Sequence, residues 1–112
     1  MTLNDYGKLC HEANKKWWPS DVKTRNKGEA IALMHSELSE ALEGERKNLM
    51  DDKLPHRKAA EVEFADTLIR IFDYCHAFEY DLEGAFREKM AYNAIREDHK
   101  LENRMTENGK KF

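Results

Sequence analysis

Valine occurs only twice, at positions 22 and 62, proline twice, glycine five times and cysteine twice in 112 residues. So few turn-forming and β-branched residues exclude a β-sandwich or barrel, whose many short strands need both. Cys10 and Cys75 share no spacing motif, so they read as buried free thiols rather than as a disulfide or a thiolate metal pair. No apolar run approaches the roughly 18–20 residues that span a bilayer, and the opening MTLNDYGKL lacks the basic and then apolar regions of a secretory signal. The expectation is a soluble, cytoplasmic protein. A strong charge bias is missing too: 19 Lys and Arg against 22 Asp and Glu give a net charge of −3, too mild for a nucleic-acid or membrane-surface footprint.

What is present favours helices. Charged residues make up 37% of the chain and hydrophobic ones 40%, with many Glu, Lys, Leu, Ala and Met. At this length one domain is the limit and its core is thin, so burying more surface in an oligomer would help. Leu3, Tyr6, Leu9, Cys10 and Ala13 recur at helical spacing behind Thr2, a candidate cap, and Trp17-Trp18-Pro19 ends this first helix. After a polar loop, a helix is predicted over 29–48 with Ile31, Met34, Leu38, Ala41 and Leu42 on its buried face, and 49–56 is a connection. The helix predicted over 57–78 is the most apolar. Its face of Val62, Ala65, Leu68, Ile69, Phe72 and Cys75, widened by Phe64, Ile71 and Phe78, is broad enough for contact on two sides. Asp81 can cap a fourth helix over 82–97 with a core face of Leu82, Ala85, Phe86, Met90 and Ala94. The fold class expected is therefore all-α, a four-helix up-down type bundle completed by oligomerisation. Residues 1–97 read as a single domain and 98–112 as a charged, loose or partner-docked tail.

Two helices each carry an acidic pair one turn apart at the border of an apolar face, Glu37 with Glu40 and Glu63 with Asp66. Four carboxylates brought together would repel one another and be costly to desolvate unless a cation neutralised them. An all-oxygen set favours Mg²⁺ or Mn²⁺ over zinc. The plainer alternative is ordinary boundary carboxylates on amphipathic helices. The fourth helix adds Lys89, Asn93 and Arg96 at i, i+4 and i+7, a row suited to phosphate oxygens if it is more than a solvated basic face. Asp73 with His76 forms D-x-x-H, but E-x-x-H occurs nowhere in the chain, which rules against a ferritin-like di-iron site. Asp73 is better read as an extra carboxylate paired with Arg70.

The segments RNKGEAIALMHSELSEALEGER, EVEFADTLIRIFDYCHAFEYDL and KMAYNAIRE together resemble the all-α nucleoside triphosphate pyrophosphohydrolases of the MazG-like and dCTPase-like type. The resemblance covers residues 25–97. It rests on E-x-x-E at Glu37–Glu40, E-x-x-D at Glu63–Asp66 and the downstream K-x-x-x-N-x-x-R at Lys89, Asn93 and Arg96. One departure is Ser36, where many members carry a second Glu before the first motif; it leaves the number of metal ions open.

The resemblance implies Mg²⁺-dependent hydrolysis of a (deoxy)nucleoside triphosphate between the α and β phosphates, with Mn²⁺ as a substitute metal. Glu37, Glu40, Glu63 and Asp66 would be the metal ligands and catalytic carboxylates, and Lys89, Asn93, Arg96 and Lys27 would hold phosphates. Trp17 and Trp18 would supply an indole for base stacking, although one could be core and the other an interface residue. His35 would line the base or sugar pocket or simply pack beside it. The expected partners are the nucleotide and further copies of the chain, with no nucleic acid and no membrane. Two alternatives stand beside this reading. One is a non-catalytic helical adaptor that docks a partner on the wide third helix; the other keeps the fold but acts on a modified, for instance oxidised, nucleotide.

Overall fold

The computed structural model describes residues 1–104, and side chains as far as residue 96. It is all-helical, with α1 at Leu3–Asn14, α2 at Lys27–Lys47, α3 at Ala59–Ala77 and α4 at Leu82–Arg104, and short 3-10 turns at Lys15–Trp17 and Val22–Thr24. No named strand occurs among the described residues, and no helix there is long and apolar enough to cross a membrane.

Local chemistry sets the helix ends. Thr2 Oγ1 accepts from the Asp5 backbone N–H at 3.1 Å, and Asp5 returns a carboxylate oxygen to the Thr2 N–H at 2.8 Å, a reciprocal cap of two otherwise orphaned donors. Asn26 Oδ1 accepts from the Glu29 N–H at 3.0 Å, which starts α2 at Lys27 rather than at the expected Glu29. Asn48 ends α2 in the left-handed region at φ 51°, a conformation Asn tolerates better than most side chains. The connection to α3 is tied down by Asp51, whose N–H donates to Arg57 C=O at 2.9 Å while its carboxylate accepts from the Lys53 and Leu54 N–H groups.

Contacts divide the chain into two compact units, one spanning Met1–Tyr80 and the other beginning at Asp81. In the first unit α1 and α2 both pack on α3. The α2–α3 pair is antiparallel: Gly44 sits against Ala59 and Ala60, while Ala30 and Met34 share a small recess with Tyr74 at the other end. A Cβ on Gly44 would lie 3.1 Å from Ala59 Cβ and 3.2 Å from the Ala60 backbone nitrogen, so any side chain here would push the two helices apart by a few tenths of an ångström. Gly7 makes the matching approach of α1 to α3, where a Cβ would stand 3.0 Å from the Phe72 carbonyl oxygen. The buried apolar residues are correspondingly few and mostly small: Ala30, Ala41 and Ala60, with Trp18 and Tyr74 as the large members.

The contact face of α2 corrects the one expected from periodicity. Ala30, Met34, Ala41 and Gly44 face α3, whereas Ile31, Leu38 and Leu42 are 41%, 43% and 50% exposed. At about 100° per residue the second group forms a stripe about a quarter-turn from the first. On α3, Phe64 and Leu68 are likewise half exposed. In an antiparallel pair those angles put both apolar stripes on one side of the α2–α3 contact and the acidic pairs on the other.

In the second unit Asp81 Oδ1 accepts from the Gly84 N–H at 3.0 Å, the expected cap. This helix runs to Arg104, seven residues past the expected end at Glu97. Phe86 and Met90, expected in the core, are 52% and 57% exposed. The tail expected over 98–112 thus begins on helix, and 105–112 lie outside the described residues.

Gly44→Val is expected to destabilise the protein by about 1–3 kcal/mol through overpacking against α3, measured as a fall in thermal midpoint. An unchanged midpoint would contradict the close crossing.

Candidate functional site

The close crossing carries carboxylates with it. Ala41 is buried between Glu37 and Gly44 on α2, and Thr67 is buried beside Asp66 on α3, so Glu37, Glu63 and Asp66 meet across the helix pair. Each offers one oxygen, and the three oxygens lie within 4.8 Å of one another. All three residues are half-buried. Glu40, expected to be the fourth member, is exposed and stands outside this close set, although it still acts on Glu63.

The electrostatics follow from the crowding. Glu63 is pushed up from the ordinary 4.5 to about 8, first because its protonated form can donate to Glu37, then because burial disfavours its charge, then through Glu40. Its Oε2 is buried and has no hydrogen-bond partner. Asp66 is raised as well, by burial first and then by the charge of Glu37, with Arg70 pulling the other way. Asp51, delivered by the loop before α3, also raises Asp66 and is an acid of this site that lies outside both sequence motifs. An orphaned buried carboxylate oxygen and a set of hard oxygen donors fit a divalent cation, whose charge would replace the shared proton.

Arg70 is the internal counter-charge. Its Nε donates to Glu37 Oε1 at 3.1 Å, which corrects the expected pairing of Arg70 with Asp73. Asp73 is committed elsewhere and is 7% exposed. One of its oxygens meets His11 Nδ1 at 2.7 Å and the other accepts from Trp18 Nε1 at 3.0 Å. It therefore joins α1, the segment after α1 and α3, and the extra-carboxylate role gives way to this structural one.

The cluster lies between two recesses. On one side a cleft of about 350 Å³ has Glu37, Asp66 and Arg70 on one wall and Asn14, Trp17 and Arg25 on another. On the other side a groove of about 310 Å³ is lined by Glu40, Asp51, Asp52 and Glu63. The two tryptophans divide the roles open to them. Trp18 is 9% exposed, packed edge-on against His11 and Phe78, with the Arg25 guanidinium 4.2 Å from its ring centroid. Trp17 is 73% exposed and keeps indole surface available.

Other expected residues fall elsewhere. His35 is exposed and forms no wall of the cleft. Lys27 sits with its ammonium 4.5 Å from the Phe78 ring centroid and 5.8 Å from that of Tyr80, away from the cleft walls. In the second unit Lys89 and Arg96 are exposed and Asn93 is half-buried, with Lys89 Nζ 4.8 Å from the Tyr92 ring. The cations that do line the cleft, Arg25 and Arg70, were not singled out as site residues by the sequence; the available signal was Arg70 one turn after Asp66.

No family model, curated protein or solved structure matches the chain.

A carboxyl raised in the folded state contributes its full stability below the unfolded value, near 4.5, and loses it as pH rises through about 8. Metal-free protein should therefore lose stability relative to Glu63→Gln across that window, and added Mg²⁺ should restore it more strongly at the alkaline end. Thermal unfolding in chelator and in Mg²⁺ at a series of pH values checks this. A difference from Glu63→Gln that stays flat with pH would contradict the shared-proton cluster.

Proposed function

We propose that the protein is a metal-dependent nucleoside triphosphate pyrophosphohydrolase that cleaves between the α and β phosphates, releasing nucleoside monophosphate and pyrophosphate. The observation that carries this reading is one cleft holding an exposed indole, Trp17, and two members of a tight carboxylate set, Glu37 and Asp66. A planar base and a cation-bound polyphosphate ask for those two surfaces side by side. The resemblance of both acidic motifs and of the Lys89, Asn93 and Arg96 row to the MazG-like and dCTPase-like enzymes points the same way.

In this reading Glu37, Glu63 and Asp66, joined by Glu40, hold Mg²⁺, with Mn²⁺ as a substitute. When bound, the cation would neutralise charge that develops on the phosphate oxygens. Glu40, exposed and outside the close set, is the least committed of the four carboxylates and would be the one to accept a proton from the attacking water. Arg70, held at Glu37, and Arg25 add positive charge to the cleft wall. Within the first unit Trp17 would stack on the base while the Asp73 clamp fixes the segment that carries it, and the phosphate-binding role of Lys89, Asn93 and Arg96 is carried by the resemblance alone.

Incubation with each common ribo- and deoxyribonucleoside triphosphate and Mg²⁺ should yield pyrophosphate and monophosphate. Glu37→Gln and Asp66→Asn should lower the rate by at least about 100-fold, the upper end of what even outer partners of a metal site cost, without loss of helical signal. No turnover of any nucleotide, together with no Mg²⁺-linked thermal shift, would overturn the enzyme reading. Extending the panel to oxidised bases separates pool clean-up from use of ordinary nucleotides.

The same proposal includes self-association, in the up-down helical arrangement expected from the sequence. Ile31, Leu38 and Leu42 on α2 with Phe64 and Leu68 on α3 form an exposed apolar stripe suited to covering by a partner surface. A mass in solution of at least two 13.2 kDa chains is expected, falling to one in Leu42→Arg with Phe64→Glu. A monomeric wild-type protein at micromolar concentration would contradict it, and if nucleotide turnover is also absent, these faces support an adaptor instead.

A further inference from the structure

Asp73 and His76 form the D-x-x-H pattern of α3, which the carboxylate cluster does not use, and α1 brings His11 up to both. Gly7 and His11 lie one turn apart on the face of α1 that meets α3. A Cβ on Gly7 would stand 3.3 Å from His76 Cβ, so the bare position lets α1 close onto the last turn of α3, where His76 sits. The His11 and His76 rings stand with their centroids 5.4 Å apart, tilted by 40°.

Hydrogen bonding fixes what His11 offers. Asp73 is 7% exposed, and a carboxylate can only accept, so the ring nitrogen 2.7 Å from it, Nδ1, carries the proton. The neutral ring then holds its lone pair at Nε2, which has no hydrogen-bond partner among the described residues. Trp18 packs on the same ring in an edge-on contact, with centroids 5.3 Å apart. A histidine whose Nδ1–H is held by a carboxylate is arranged as metal-ligating histidines are: the carboxylate sets the tautomer and makes the other nitrogen more basic. His76 is exposed and its ring makes no hydrogen bond among the described residues, so rotation of its side chain can bring a nitrogen to an ion held by His11. Two imidazoles on one tetrahedral ion, each nitrogen at about 2.0–2.1 Å, place their ring centroids about 5 Å apart, close to the spacing present. The charge of Asp73 and the negative end of the α3 dipole add the potential that a cation needs.

We propose that His11 and His76 form a second metal site, for a borderline transition-metal ion of the Zn²⁺ class, with Asp73 orienting His11 and water completing the coordination. Imidazole nitrogen favours such ions, whereas the oxygens of Glu37, Glu63 and Asp66 suit Mg²⁺, so the chain sorts two classes of cation into two places. The ion at the histidine pair staples α1 to the end of α3.

The test titrates Zn²⁺ into the full chain in excess Mg²⁺, and in parallel records the electron paramagnetic resonance of added Cu²⁺, whose hyperfine structure counts the ring nitrogens bound to it. The affinity for Zn²⁺ is expected to fall at least about 10-fold in His76→Ala, the lower end of what even outer partners of a metal site cost, and to persist in Glu37→Gln. Cu²⁺ should show two nitrogens in the wild-type protein and one in His76→Ala. Since His76 is exposed, this variant is expected to keep its helical signal, which circular dichroism checks. No Zn²⁺ binding up to millimolar concentration, an affinity unchanged in His76→Ala, a loss in Glu37→Gln as large as that in His76→Ala, or fewer than two nitrogens in the wild-type spectrum overturns the site. None of these outcomes depends on nucleotide turnover.

Discussion

The closeness of α2 to α3 governs the first unit. Gly44 lies so close to Ala59 and the Ala60 backbone that a Cβ would crowd them at 3.1 and 3.2 Å, and the buried residues of the contact are small, with Ala30, Ala41 and Ala60 among them. Small residues let the helix axes approach until long side chains on the flank of the contact are forced together. On that flank stand Glu37, Glu63 and Asp66. The same feature that holds the helices thus creates an electrostatic cost, met without metal by a proton on Glu63 and the guanidinium of Arg70. Neither is a full neutraliser, since Glu63 Oε2 stays buried without a partner. A divalent cation held there would remove the repulsion and satisfy that oxygen at once.

A second constraint supplies the other wall of the cleft. Asp73 gives one oxygen to His11 and the other to the indole of Trp18, so a single buried carboxylate fixes α1 and the turn that follows it on α3. Trp18 is thereby spent on structure, packed among His11, Phe78 and Arg25. Its neighbour Trp17 is left facing out at the cleft, near Asn14. Removing the Asp73 clamp would release the aromatic wall while leaving the carboxylate set in place, which separates the two halves of the site physically.

The helices themselves were legible in the sequence because helical periodicity and caps such as Thr2 and Asp81 are local signals. Which face of α2 packs was not. Hydrophobicity marks Ile31, Leu38 and Leu42 as core, yet contact with α3 is made through smaller side chains, whose value lies in proximity rather than in area removed from water. The acidic motifs were legible, and three of their four members meet, with Glu40 at the edge. Asp73 bonding to Trp18, and Arg70 reaching Glu37 rather than Asp73, depend on separations of 55 and 33 residues that no spacing rule covers. Asp51 was hidden for a similar reason: it arrives through a loop held by its own hydrogen bonds.

The large apolar side chains displaced from the α2–α3 contact lie opposite the acids, so association through them would leave the cleft open. The account as a whole turns on whether the carboxylates that this packing gathers are a cation site. Crystals grown in Mn²⁺ and measured for anomalous scattering address it most directly. The account predicts an anomalous peak among Glu37, Glu63 and Asp66, at roughly 2 Å from their oxygens. An ordered protein whose Mn²⁺ peaks all lie elsewhere, with the Arg70 to Glu37 contact intact, would contradict it.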